Sequence, residues 1–189
     1  AIPILKYYES CNVVSFEPSP NTQKFLKRTA ESSRFHKRWK IVEKATGSKT
    51  GQIDFFIASP SMGAYDGFRD TKRAETNRRV SVPVTTIDEE WKSIGCPDVS
   101  VIKIDIEGSE LETLKGSIQC MKENHPHIIL EWNATNLKAY DCPVESILNF
   151  GKEFDYRLYS LPNLVAIPDL LTLKLHMLRT ESFLLAPIT

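Results

Sequence analysis

The segment Val99-Ser100-Val101-Ile102-Lys103-Ile104-Asp105 restricts the fold more than any other. It carries apolar residues on both alternating faces, as a strand does when helices cover both sides of a parallel sheet. Glu107 and Gly108 follow, and then Ser109-Glu110-Leu111-Glu112 matches a capping box, with Leu111, Leu114, Ile118 and Met121 at helical spacing behind it. A buried strand, a charged turn and a capped helix are therefore expected in succession, with Lys103, Asp105, Glu107 and Glu110 crowded around the turn.

The same alternation recurs along the chain. Residues 12–16 form a short β-branched run stopped by Glu17-Pro18-Ser19-Pro20. Ser19 as cap, Pro20 at the first helical position and the stripe Phe25, Leu26, Ala30 predict a helix through residue 32. Residues 39–45 and 52–58 read as strands around a turn at 47–51, in a hairpin or meander. Residues 59–79 read as a long surface loop, 80–84 as a strand, and 86–91 as the start of a short acidic helix. Strands at 127–132, 156–161 and 183–186 and a helix at 144–154 complete the series. The expectation is one α/β domain over residues 1–189, a doubly wound, largely parallel sheet with helices on both faces. In such sheets ligands lie beyond the carboxyl ends of the strands, where Glu17, Asp105 and Glu131 all fall.

Charge narrows the partners. Lys plus Arg and Asp plus Glu are 24 each, which gives no global attraction to nucleic acid or to an anionic membrane. No apolar run approaches the roughly 18 residues a membrane span requires, and the opening lacks a signal-peptide pattern, so a cytoplasmic setting is expected. Cys11, Cys96, Cys120 and Cys142 stand far apart and indicate reduced thiols, mostly buried, and neither zinc nor disulfides. Asn133-Ala134-Thr135 matches a glycosylation triplet that arises often by chance.

A carboxylate placed like Glu17, between an apolar strand and a capped helix, suits acceptance of hydrogen bonds from a ribose diol. The same position also suits a residue that merely decorates a turn. Alternation puts Lys103, Asp105 and Glu107 on one side, where charges pair and shift one another's ionisation. That cluster reads either as a salt-bridge network or as a site that orients a cofactor and takes a proton from a hydroxyl. The basic stretch from Lys24 to Lys40 reads as a solvated face. Arg69, Lys72, Arg73, Arg78 and Arg79 lie in the long loop, where they could cover or select an acceptor, an anionic one included. His125-Pro126-His127 lacks metal spacing, and Trp39, Trp91 and Trp132 read as core or rim aromatics.

Three segments in order resemble the signatures of FkbM-type methyltransferases: Val14-Ser15-Phe16-Glu17-Pro18-Ser19-Pro20, Val82-Pro83-Val84-Thr85-Thr86-Ile87-Asp88, and the central Lys103-x-Asp105-x-Glu107-Gly108-x-Glu110 pattern running on to Gly116. The likeness continues through residues 126–131 and 183–187. It implies a Rossmann-like methyltransferase fold and transfer of a methyl group from S-adenosylmethionine to a hydroxyl of a small molecule, sugar or other glycan acceptor, without a metal. By that resemblance Glu17, Pro18 and Asp105 would contact the cofactor, and Asp105, Glu107 and Glu131 would serve catalysis at its junction with the acceptor.

Family members normally begin with a strand and an Asp-x-Gly-Ala-Asn-x-Gly type of loop. Here eleven residues precede Asn12, and residues 1–11 contain no glycine. The expectation is a domain incomplete at its N-terminus, its first strand missing, with exposed sheet edges through which copies could associate. A fragment, a remade cofactor site and a catalytically silent Rossmann-like binding module all stay open. A nicotinamide-dependent enzyme also uses an acidic residue after its second strand, but the segment 103–116 resembles methyltransferases instead.

Overall fold

The computed structural model describes residues 1–57 and 78–188. The chain opens with helix α1 (Ile2–Tyr7), strand β1 (Val13–Phe16), helix α2 (Pro20–Ser32) and strand β2 (Trp39–Val42). β1 and β2 pair in parallel as a sheet of two. Leu5, Ala30 and Trp39 form its small core. Arg38 completes this unit: its guanidinium donates to the carbonyls of Leu5 (2.7 Å), Tyr8 (3.0 Å) and Cys11 (2.7 Å). A six-residue helix leaves its last carbonyls without internal partners, and one planar donor fork satisfies that of Leu5 in α1 together with those of the cap Tyr8 and of Cys11 beyond it. Arg38 is thus structural, whereas the sequence placed it on a solvated face.

Next come β3 (Ala45–Thr46), β4 (Gly51–Ile57) and β5 (Arg78–Thr85). The expected hairpin of β3 with β4 does not form. β5 lies between them, parallel to β3 and antiparallel to β4. Arg78 and Arg79 belong to β5 and not to the long loop expected there; residues 59–77 of that loop, with Arg69, Lys72 and Arg73, lie outside the described residues.

Helix α3 (Ile87–Ser93), capped by the Thr86 hydroxyl, leads to β6 (Val101–Ile104). Then follow α4 (Glu110–Lys115), α5 (Ile118–Asn124), β7 (His127–Glu131), α6 (Ala134–Ala139), α7 (Ser146–Glu153), β8 (Tyr156–Ser160), β9 (Val165–Ala166), α8 (Leu170–Met177) and β10 (Ser182–Pro187). Five of these strands make the main sheet, in the order β6-β7-β10-β8-β9. β9 folds back on β8, and β10 then enters antiparallel to both its neighbours. The class is α/β as expected, with more mixed pairing than a largely parallel sheet: among the described residues three pairs run parallel and four antiparallel.

Ile128, Leu130, Phe183, Leu185 and Leu158 alternate inward from the main sheet onto Trp132, Leu114, Ile147 and Phe150. Trp132 is 1% exposed and donates its indole N–H to the Val144 carbonyl at 2.9 Å. β6 departs from the expected two-sided burial. Among the described residues it has β7 on one side only, and Val101 remains 53% exposed.

Packing rather than chain continuity joins the parts. The Thr46 and Thr113 hydroxyls meet at 2.8 Å, and a Cβ on Gly116 would lie 2.0 Å from the Gly47 carbonyl oxygen. Gly116 also breaks the expected single helix into α4 and α5, and Asp88 caps α5 by accepting from Gln119 N (3.0 Å) and Cys120 N (2.8 Å). Burial works against the Glu90 charge, but Lys44 at 2.8 Å, with Lys40 and the Thr85 hydroxyl, holds its carboxyl below the usual range. All four cysteines are free thiols, though only Cys120 is buried, and there burial pushes the thiol up to about 12.

Candidate active site

The turn after β6 places the charged side chains. Glu107 adopts a left-handed conformation with φ 59° and Gly108 one with φ 112°. A side chain at Gly108 would be strained there, and its Cβ would sit 2.6 Å from Tyr140 Cδ2 and 3.1 Å from the Asn136 carbonyl oxygen. The capping box expected at Ser109 does not form. Ser109 makes no side-chain cap, and Glu112 turns instead to Lys115 and the Ser48 hydroxyl. Glu110 turns inward: its Oε1 accepts from Gly108 N at 3.0 Å and Ile106 N at 3.3 Å, and it is 2% exposed. Burial pushes its carboxyl above the ordinary value, against the pull of those N–H groups.

Asp105 is exposed and pairs with Lys103. Glu107 is half-buried and accepts from Asn136 Nδ2 at 2.8 Å. Glu131 ends β7, and its carboxyl is pushed up to about 8. Burial is the first cause, followed by the Glu107 charge, a hydrogen bond with the Asp105 carboxyl, and the charges of Asp105 and Glu181. The Asp105–Glu131 bond requires a proton, so at neutral pH the protonated Glu131 donates to Asp105. Asn133 caps α6 through its side-chain oxygen and donates from Nδ2 to Glu181. A cavity of about 130 Å³ opens among Lys103, Ile104, Asp105, Glu131, Glu181 and Ser182. It would hold about four waters at roughly 30 Å³ each, or a hydroxyl-bearing fragment.

Asp105, Glu107 and Glu131 therefore converge in one cluster. Glu181, Asn133 and Asn136 belong to it as well, and the sequence did not point to them. β10 brings Glu181 in by antiparallel pairing, a distant relation that no local pattern records, and Asn133 stood out in the sequence only as the start of a glycosylation triplet. Glu17 and Pro18 sit elsewhere, at the carboxyl end of β1 in the two-stranded sheet. The Glu17 carboxylate accepts from Ser19 N at 2.8 Å, and Gln23 Nε2 donates to the Glu17 and Pro18 carbonyls at 2.8 and 3.3 Å. Ser19 does not cap α2 with its hydroxyl, which is buried without a hydrogen-bond partner. A larger hollow of about 530 Å³ lies at Ile2, Phe25, Arg28, Thr29, Ser32 and Ser33, open to solvent and lined by no carboxylate. Among the described residues no three His, Cys, Asp or Glu side chains are arranged to hold a metal ion, and no helix is long and apolar enough to cross a membrane.

Comparison with known proteins gives this geometry a context. Residues 4–158 match the model of the methyltransferase FkbM domain. The hexuronic acid methyltransferase AglP of Haloferax volcanii is 32% identical over 111 residues, which are 59% of this chain and 43% of that protein. The crystal structure of methyltransferase FkbM from Methylobacillus flagellatus KT superposes with a TM-score of 0.53 at 19% identity, over 93% of this chain and 36% of the other, and so shares its fold. This chain spans less than half the length of either relative. With its family model covering most of the sequence, the chain belongs to the FkbM methyltransferase family.

Proposed function

We propose that this chain carries the site of an S-adenosylmethionine-dependent O-methyltransferase that acts on a hydroxyl of a sugar or similar small molecule. The observation that carries the reading is the small cavity at the carboxyl ends of β6 and β7, lined by Asp105, Glu131 and Glu181, with the Glu107 charge close enough to act on Glu131. The hexuronic acid named for the Haloferax relative supports a sugar-type acceptor. Four free cysteines fit a reducing, cytoplasmic setting.

The residues present fit the cofactor in two places. Glu17 offers a carboxylate at a strand end, and the orphaned Ser19 hydroxyl beside it is a buried polar atom in want of a partner. Asp105, just past the end of β6, would orient the methionine end. When bound, S-adenosylmethionine supplies an electrophilic methyl group. The protein's own contribution is alignment: the small cavity admits a hydroxyl, and its walls fix the direction from which the oxygen approaches. Glu131, once ionised, accepts the hydroxyl proton, so the rate should rise with pH toward a plateau above about 8.

A second reading, a silent binding module, draws on one observation: β1 and β6 belong to separate sheets, so Glu17 and the acidic cluster are not held by one set of strands. Calorimetric titration with S-adenosylhomocysteine separates the two. Saturable binding that weakens at least about tenfold in Glu17→Ala supports the enzyme, as loss of a bidentate charged hydrogen bond predicts. Absence of binding by the native chain would favour the silent module.

A further inference from the structure

Glu107 is a non-glycine residue in left-handed backbone, a conformation that persists only where the surroundings impose it. The imposing group is identifiable. The two N–H groups on either side of Glu107, those of Ile106 and Gly108, both point to one atom, Oε1 of Glu110. That carboxylate is almost fully buried, and backbone N–H groups, its own included, are what stabilise its charge. Burying a carboxyl group this way is unfavourable compared with an apolar side chain of the same size, so packing alone does not account for glutamate here. On the other side of the turn, Asn136 is 1% exposed and holds the Glu107 carboxylate by Nδ2 at 2.8 Å. Tyr140 closes against Gly108 so tightly that no Cβ fits.

We propose that Glu110 is a positioning residue: its buried carboxylate clamps the N–H groups flanking Glu107 and so fixes Glu107 against Asn136 and beside Glu131. The inference rests on the reading of the acidic cluster as the site and adds the residue that sets its geometry. Glu110 touches neither the cavity lining nor Glu131; it acts through the backbone at 106–108.

The test requires no methyl transfer. Nuclear magnetic resonance follows the Asn136 side-chain amide and the carboxyl titration of Glu131 in the native chain and in Glu110→Leu, Glu110→Asp and Glu110→Gln. Leucine removes the acceptor, aspartate shortens it, and glutamine retains an oxygen at the same reach. The expected result is a displaced Asn136 amide signal and a Glu131 midpoint lowered by about one pH unit in the aspartate variant, and in the leucine variant where it folds, as the Glu107 charge moves away. Glutamine should restore both to near native. Native Asn136 and Glu131 behaviour in a folded aspartate or leucine variant would overturn the proposal, as would a glutamine variant that behaves like leucine. Titration of the native chain with S-adenosylhomocysteine tests the functional reading separately, so failure of one is distinguishable from failure of the other.

Discussion

Glu131→Gln should stabilise the protein, and only above mildly acidic pH. The Glu131 carboxyl stands at about 8 in the folded chain against a usual value of 4.5, for reasons present only in that state: burial and the convergence of Glu107, Asp105 and Glu181. Between those two pH values the folded chain keeps a proton that the unfolded chain has released. More protons bound by the native state means that stability falls as pH rises, so the loss starts near 4.5 and is complete a little above 8. About 3.5 pH units at about 1.4 kcal/mol each set a ceiling near 5 kcal/mol. Glu131 keeps partial access to solvent, which screens its neighbours, and a figure of about 2 kcal/mol is the reasonable expectation. Glutamine has the same shape, still donates to Asp105, and never ionises. Urea denaturation followed by tryptophan fluorescence at pH 5, 6, 7, 8 and 9 reads the difference. The native chain should match the variant near pH 5, fall behind it through pH 8 and run parallel above. Equal stabilities at every pH would refute the reasoning, since the carboxylates would then not be close enough to repel.

Gly116→Ala should be among the most damaging small substitutions, at about 3 kcal/mol or more in urea denaturation, because its Cβ would meet the Gly47 carbonyl at 2.0 Å and neither backbone can yield without parting α4 from β3. Arg38→Ala should cost about 2 kcal/mol and expose α1 first, visible as faster amide exchange at residues 5–11, since three carbonyls lose their donor together. Among the described residues β1 and β6 end their sheets with open edges, and these should give weak self-association: a few ladder bonds at about 1 kcal/mol each barely offset the cost of association, so a dissociation constant of about 1 mM or weaker is expected. Light scattering should show mass rising with concentration and Val101→Lys should suppress it; a monomer throughout would discard this surface.

The elements legible in the sequence were those whose partners lie nearby in it. β1, β6 and β7 are short apolar runs bounded by breakers, and each ends on an acidic residue or just before one, which is why Glu17, Asp105 and Glu131 stood out. The Lys103 to Gly116 segment was legible a second way, as a family signature, and the family model now covers it. What escaped was long-range. β5 takes the place of the hairpin or meander expected from 39–45 and 52–58: β3 and β4 each pair with this later strand instead of with each other. The capping box failed because Glu110 and Glu112, both plausible helix-start acids, found better partners in the preceding turn and in Ser48. α8 had no polar and apolar alternation to betray it: of its leucines, Leu173 is fully buried while Leu171 is 70% exposed.

The division of the sheets has a consequence for how the proposed site is assembled. Its acceptor half, with Asp105, Glu107, Glu131 and Glu181, is built on β6, β7 and β10 within one continuous ladder, with Glu110 of α4 and Asn136 of α6 holding the turn at Glu107. Its cofactor half, with Glu17, belongs to β1 and β2, which among the described residues share no ladder with the main sheet. The two halves are joined by two side-chain contacts and one backbone contact: Glu90 with Lys40 and Lys44 between α3 and the end of β2, Thr46 with Thr113, and the backbone of Gly47 against that of Gly116. Ion pairs with exposed lysines contribute little at physiological salt, whereas backbone contact at a glycine is stiff and indifferent to it. The relative placement of Glu17 and the acidic cluster is therefore governed by the glycine contact, and a substitution there should weaken cofactor binding while leaving the high ionisation midpoint of Glu131 in place.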